Sequence, residues 1–377
     1  MNLAKSNVVL AVLAVVLAVP TTIQIFADAE TFVDTGSIPT MFDGFSSDNV
    51  GLIALAMPAK EQPKPDPNQP NAQPKVAYDK IEMRKVDKGW VVHSGTLANA
   101  PIAKERVETD VFQHLRLIRA DRDALVQPNA TPEQLAEFGL DEAHAFVVQC
   151  RDSTGQTVVA DLLVGRDASQ GQAGTDAVRG VFVRKSDSTD VVLYEFDKGW
   201  RRDVAQDGWL DKVLAKLEPD KIQRLTLKNN ASGPVPFTFE RRDGKASWHA
   251  VNAPAGLGAV RQIEVENLVQ RLRWIGVQDY RVLAQGTNLA QLGLAAPMID
   301  LELVVKEGDR DRVIKLGVGN KLTDKNEYYL ACNESAFVMT WPAGTVTQFE
   351  LDMKASLFDP AAPTTTPDPP KDEKKGG

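Results

Sequence analysis

The sequence predicts an α+β protein of two tandem similar repeats. Each is expected to be a mostly antiparallel sheet with an amphipathic helix packed on it, preceded by an N-terminal transmembrane helix. Three observations carry this reading. Leu135-Ala136-Glu137-Phe138-Gly139-Leu140 returns as Leu289-Ala290-Gln291-Leu292-Gly293-Leu294, with the glycines 154 residues apart. Leu162-Leu163-Val164-Gly165 returns as Leu316-Gly317-Val318-Gly319 at the same spacing, and Gln113-His114-Leu115-Arg116-Leu117-Ile118 returns as Gln270-Arg271-Leu272-Arg273-Trp274-Ile275 at a spacing of 157. Three matches in one order indicate a duplicated domain. The third observation is the apolar run Val8–Phe26 near the start of the chain, which at about 1.5 Å rise per residue just spans a hydrocarbon core.

The expected organisation follows. Residues 1–29 form a membrane anchor or signal segment, 42–200 the first repeat, 215–358 the second, and 359–377 a polar, Pro-rich tail unable to pack. The reading adopted for the leader is an uncleaved anchor, with Lys5 inside and the acidic stretch Asp28, Glu30 and Asp34 outside. The alternative is secretion after cleavage near Ala29, where Ala27-Asp28-Ala29 offers an A-x-A site. Both place the bulk of the chain outside the cytoplasm, periplasmic or extracellular.

The chain has 377 residues, 43% hydrophobic and 25% charged, enough for two ordinary domains. A net charge of −8 with no basic stripe argues against a nucleic-acid partner. Cys150 and Cys332 fall at non-equivalent places in opposite repeats. They read as two small buried side chains or, in an oxidising compartment, as a disulfide.

Within each repeat the elements follow from periodicity and turn chemistry. Asn49–Ala56 reads as a first strand, matched by Lys221–Leu227. Met57–Lys75, rich in Pro, Lys, Gln and Asn, is expected as a long solvated hairpin loop, because proline removes ladder donors. Val76–Val92 is a hairpin turning at Asp87-Lys88-Gly89. Its counterpart, Phe237–Arg241, turns at Asp243-Gly244. Pro236 implies that its strand starts late or lies at an edge. Trp90 and Trp248 occupy matching places and are read as core anchors rather than ligand platforms.

Val107, Val111, Leu115 and Ile118, and then Val265, Leu268, Val269, Leu272 and Ile275, place one apolar stripe on a helix in each repeat. Thr131-Pro132-Glu133-Gln134 is a capping box with proline at the first helical position, and Gly139 ends that helix. Thr287 is expected to cap the second copy, where Ala290 cannot complete the box. Further strands are expected at Ala145–Cys150, Thr157–Val164, Gly180–Arg184, Val191–Tyr194, Ile299–Leu303, Arg312–Val318, Tyr328–Cys332 and Ala336–Met339. Leu351–Phe358 closes the fold.

No residue pattern points to chemistry. His93, His114, His144 and His249 show no i, i+4 pair, and surface positions account for His93 and His249. Gly165–Gly174 is glycine-rich but lacks the ending of a phosphate-binding loop, and reads as a hairpin loop. No catalytic, cofactor-binding or metal residue is assigned, and no cofactor is expected. Asn129, Asn230 and Asn333 head glycosylation sequons that matter only in a eukaryotic secretory pathway.

The order of elements resembles the domain of unknown function 4340 family, over about residues 42–350. The motifs carrying the likeness are Leu135–Leu140 with Leu162–Gly165, and Leu289–Leu294 with Leu316–Gly319. The chain departs from the pattern in its Pro-rich insertion and at Phe182-Val183, where a tyrosine-bearing strand is usual. The resemblance implies a bacterial, membrane-anchored, extracytoplasmic protein, accessory to ABC-type permeases or gliding-type auxiliary subunits. It supplies no catalytic residues. The expectation is therefore a non-enzymatic accessory protein. The alternative is an extracytoplasmic binding module for a peptide, glycan or lipid, with a hydrolase as the weakest reading.

Overall fold

A computed structural model describes residues 39–62, 76–169, 178–196, 200–241, 247–253, 255–283 and 286–361. The anchor expected at Val8–Phe26, the turn at Asp243-Gly244 and the tail from residue 362 lie outside the described residues. Among the described residues no helix is long and apolar enough to cross a membrane.

The protein is a sheet-rich α+β structure with few helices. Strands β1 (Leu52–Pro58), β2 (Tyr78–Val86), β3 (Gly89–Val92), β4 (Pro101–Ile102), β5 (Leu125–Gln127), β6 (Phe146–Arg151), β7 (Val158–Ser169), β8 (Val178–Lys185) and β9 (Val191–Glu195) make a nine-stranded sheet, in the order β4-β3-β2-β1-β6-β7-β8-β9-β5. A two-stranded ribbon joins β10 (Val213–Lys216) to β14 (Trp274–Gly276). Strands β11 (Ile222–Asn229), β12 (Phe237–Arg241), β13 (Trp248–Ala250), β15 (Asp279–Arg281), β16 (Ile299–Glu307), β17 (Arg310–Lys321), β18 (Glu327–Cys332) and β19 (Val338–Pro342) make an eight-stranded sheet, in the order β13-β12-β11-β16-β17-β18-β19-β15. Two compact units result: one from the chain up to Asp79 with Glu108–Arg202, the other from Lys80–Val107 with the chain from Asp203 onward.

Alternation sets which face of each sheet is buried. In β16, Ile299, Leu301, Leu303 and Val305 are buried while Asp300 is exposed. In β6, Phe146, Val148 and Cys150 are buried between half-exposed neighbours. A period of two puts successive side chains on opposite faces, so one apolar set faces the core. β12 begins at Phe237, just past Pro236, where a ladder donor is first needed.

The first helical stripe is buried as expected, with Val107, Val111, Leu115 and Ile118 at most 1% exposed. The expected helix is there without a gap but is not α throughout. It runs as α1 (Lys104–Val107), a π turn (Glu108–Phe112) and α2 (Gln113–Leu117). The π turn falls between Val107 and Leu115, and all four apolar residues stay buried across it. The capping box stands on α3 (Pro132–Glu137): Gln134 N–H donates to the Thr131 hydroxyl at 3.3 Å and Thr131 N–H to Gln134 Oε1 at 2.9 Å. Two short helices, α4 (Gln206–Trp209) and later α6 (Ala343–Val346), are single turns. The second long stripe lies on α5 (Gln262–Arg271), with Val265, Leu268 and Val269 buried; Ile275, expected on the same stripe, has passed into β14.

Four further expectations are corrected. Asn49–Val50 is not strand: Ser47–Asn49 forms a 3-10 turn capped by Ser46, and β1 runs from Leu52 into the expected Pro-rich loop as far as Pro58. At the ends of that loop, Ala59 N–H donates to the Ala77 carbonyl at 2.8 Å, while residues 63–75 lie outside the described residues. No helix follows Thr287. The box is displaced by one residue: the Asn288 carboxamide oxygen accepts the Ala290 N–H at 2.9 Å and Asn288 N–H donates to Gln291 Oε1 at 3.3 Å, capping a turn that does not continue as helix. β7 extends to Ser169 into the glycine-rich stretch, of which residues 170–177 lie outside the described residues. The closing segment is helical over α7 (Met353–Leu357). Cys150 and Cys332 are both buried free thiols.

The two Gly-Leu motifs hold their surroundings in the same way. Gly139 and Gly293 adopt φ of +69° and +72°, a left-handed conformation that costs glycine little. The carbonyls just before them, of Phe138 and Leu292, accept the N–H of Arg166 at 2.8 Å and of Asn320 at 2.7 Å. That approach requires Gly165 and Gly319. A Cβ there would lie 2.2 Å from Phe138 O and 2.1 Å from Leu292 O.

Candidate functional site

In the second unit, α5 and the β12–β13 hairpin flank an open groove of about 800 Å³, closed at one end by the segment Leu217–Asp220. The hairpin register sets Trp248 opposite Arg241. Arg241 lays its guanidinium over the Trp248 ring, 4.6 Å from the centroid, and donates to Glu266 Oε2 at 2.7 Å and to the Asp220 carbonyl at 3.2 Å. Trp248 Nε1–H donates to the same Glu266 oxygen at 3.1 Å, and Gln270 Nε2–H to Oε1 at 3.1 Å. Burial pushes the Glu266 carboxyl up, but the hydrogen bonds from Trp248 and Gln270 and the Arg241 charge outweigh it and hold the group below the usual glutamate value.

Gln262, the first residue of α5, bonds the edge of the sheet. Its carboxamide accepts the Trp248 N–H at 2.6 Å and donates to the Trp248 carbonyl at 2.8 Å, as a neighbouring strand would. The helix and the hairpin are thus fixed to one another at the groove floor. On the helical lip Ile263 is 75% exposed, the most of any large hydrophobic side chain among the described residues.

Trp90 and Trp248 are both buried, as core anchors should be. The histidines are not brought together into a site. His93 is exposed, His144 bonds Asp141 at 2.6 Å on the surface, and His249 faces Ser247 at 3.4 Å. His114 is the one sequence reasoning passed over. It packs on Trp200 with ring centroids 4.3 Å apart and planes tilted by 31°, beside Phe196, and its Nδ1 lies 3.1 Å from the Tyr194 hydroxyl. Burial holds its imidazole below the ordinary histidine value, with Asp110 opposing. The signal available was its place on the flank of the helical stripe, next to Leu115. Among the described residues no group of three or more His, Cys, Asp or Glu side chains could hold a metal ion. The sequon residue Asn333 already uses its carboxamide, accepting from Lys315 N–H at 2.7 Å and donating to the Val313 carbonyl at 2.8 Å.

Fold and groove together define a sheet-rich α+β protein with an internally braced, open groove. A family model, Domain of unknown function (DUF4340), matches residues 90–297, just over half of the chain, and the chain belongs to that family. The groove residues Arg241, Trp248 and Glu266 fall inside the matched stretch. No curated protein and no solved structure matches the chain.

Proposed function

We propose that this chain is a non-enzymatic accessory protein, tethered to a membrane by Val8–Phe26 with its bulk outside the cytoplasm, that works through protein contacts beside an ABC-type transport or gliding-type complex. The observation that carries the non-enzymatic part is the state of Glu266. Both carboxylate oxygens are taken by Arg241, Trp248 and Gln270, and its pKa lies below the usual range. A general acid or base works best with a pKa near the operating pH and with a free path to the reacting group. Glu266 instead braces a surface. Ile263, standing clear on the lip, suits contact with a partner. The alternative, a binding module for a peptide, glycan or lipid, draws on the same groove.

We also read the fold as two copies of one unit. From β3 to β5 the first sheet has the strand order of the second from β13 to β15. Flanking pairs agree as well. Ala103 N–H donates to the Trp209 carbonyl and Arg261 N–H to that of Leu357, both at 2.9 Å, around the bridges Ile102–Leu210 and Val260–Phe358. From Ile102 to Gln113 the first copy is one residue longer than the second from Val260 to Gln270. The π turn Glu108–Phe112 accounts for that residue, since such turns accommodate single insertions. An experimental structure in which the two halves failed to superpose strand for strand would sink this reading.

The functional test is co-purification in mild detergent after crosslinking. The expected result is a permease-type membrane protein recovered with the wild type and lost with Ile263→Arg, which leaves the fold unchanged. Recovery of the full-length protein alone would overturn the accessory role.

A further inference from the structure

Adjoining the groove, which Leu217 and Arg273 also line, the β10–β14 ribbon assembles a feature that neither of its strands carries alone. Residues 212–217 and 271–278 include Lys212, Lys216, Arg271 and Arg273 and no Asp or Glu, in a chain of net charge −8. Lys216 pairs in register with Trp274, and its Nζ lies 4.6 Å from the centroid of the indole. Trp274 is 54% exposed, whereas Trp90, Trp200, Trp209, Trp248 and Trp341 are at most 5% exposed. The indole lies against Gly276, where a methyl group would touch Cδ1 and Nε1 at 3.6 Å. Beside it is a pocket of about 220 Å³ with Arg271 and Trp274 in its wall and no acidic residue among those lining it. Arg271 donates to the Gln348 carbonyl at 2.9 Å, which holds the cation in place. The nearest acids in sequence are engaged elsewhere: Asp211 accepts the Val213 N–H at 2.9 Å, Glu218 pairs with Lys221 at 2.7 Å, and Asp279 lies 3.8 Å from Lys325.

We propose that this ribbon rests on an anionic lipid surface, with Trp274 at the level of the headgroups and Lys216, Arg271 and Arg273 against lipid phosphates. Tryptophan presents an apolar plate with a polar edge, which suits the membrane–water boundary, and each nearby Lys or Arg adds attraction to anionic headgroups. A protein partner would need a contiguous apolar centre to bury. Trp274 is the only large hydrophobic side chain exposed in these two segments among the described residues, with Lys216 against its ring and Arg271 in the wall of the same pocket. That arrangement matches a headgroup layer better than a protein interface. The inference does not depend on the groove or on the N-terminal segment being a span.

The test uses the full-length chain with vesicles of brominated phosphatidylcholine, alone or in equimolar mixture with brominated phosphatidylglycerol. The first 89 residues contain no tryptophan, so insertion of the N-terminal segment is silent in this assay. Quenching of tryptophan emission is expected on the mixed vesicles, reversed by salt and abolished in Trp274→Phe. Lys216→Gln should weaken it about fivefold. The emission of the five buried tryptophans reports that each variant is folded. Absence of quenching on mixed vesicles, equal quenching on neutral ones, or quenching that survives Trp274→Phe would each overturn the proposal. A Trp274 emission shift with polyglutamate but not with mixed vesicles would overturn it in favour of an acidic protein partner.

Discussion

Replacing Gly319 by alanine tests the lock behind the second Gly-Leu motif. The new methyl group would fall 2.1 Å from the Leu292 carbonyl oxygen and 3.1 Å from Leu294 Cδ2. The first obstacle is backbone, held by the 2.7 Å bond from Asn320 N–H, so it cannot turn aside as a side chain would. Relief requires β17 to back away and that bond to break. Overpacking of this kind costs about 1–3 kcal/mol and a lost hydrogen bond about 1 kcal/mol, so a total of about 3 kcal/mol is expected. For a folding unit of this size that lowers Tm by roughly 6–12 °C. Gly344→Ala is the control. It lies in α6 with nothing within 4 Å of its would-be Cβ, and should be neutral or stabilising by up to about 1 kcal/mol. Urea unfolding followed by tryptophan emission measures both. If Gly319→Ala costs no more than Gly344→Ala, the close approach is not holding the motif and the reasoning fails.

Three other outcomes can be checked with the same protein. Asn229, 1% exposed, donates to the carbonyls of Phe349 and Leu351 and accepts from Ser232 N–H; Asn229→Leu removes all three bonds, strands the Phe349 carbonyl and the Ser232 N–H while Leu351 keeps the Ser232 hydroxyl at 3.0 Å, and should cost about 3 kcal/mol in urea unfolding. His114 is half-buried in the native state with its pKa lowered by desolvation, so the unfolded chain binds a proton more readily. Its contribution is fully present above the ordinary histidine value of about 6.5 and is lost as pH falls below it; His114→Gln should flatten the drop in unfolding midpoint between neutral and mildly acid pH, and an unchanged slope would refute this. Burial raises both thiol pKa values, that of Cys150 most, so iodoacetamide should label neither cysteine at neutral pH until the chain is unfolded.

Much of the sheet was legible because period-two burial and D-x-G turns are local signals: Ile299, Leu301 and Leu303 face inward as their alternation requires. The π turn was not legible, since Val107, Val111, Leu115 and Ile118 look the same on a helix with or without one. The Thr287 cap failed because the box forms one residue later, between Asn288 and Gln291, and the repeat alignment placed it on the wrong residue. The groove could not be read at all. Arg241, Trp248 and Glu266 come from three elements, and only the hairpin register joins the first two. The basic patch escaped for the same reason. No stripe exists along the chain, and Lys216 and Trp274 meet only once β10 and β14 pair.

The carboxamide of Gln262 occupies the two backbone groups that the outermost strand of the second sheet would otherwise offer at Trp248. That end of the sheet is therefore blunted against accretion of a foreign strand, a hazard that bare edges carry. The same two bonds make the hairpin and the helix move as one piece. A guest entering between them meets a preset width and must match it, because widening the channel would first tear out the bolt at its base.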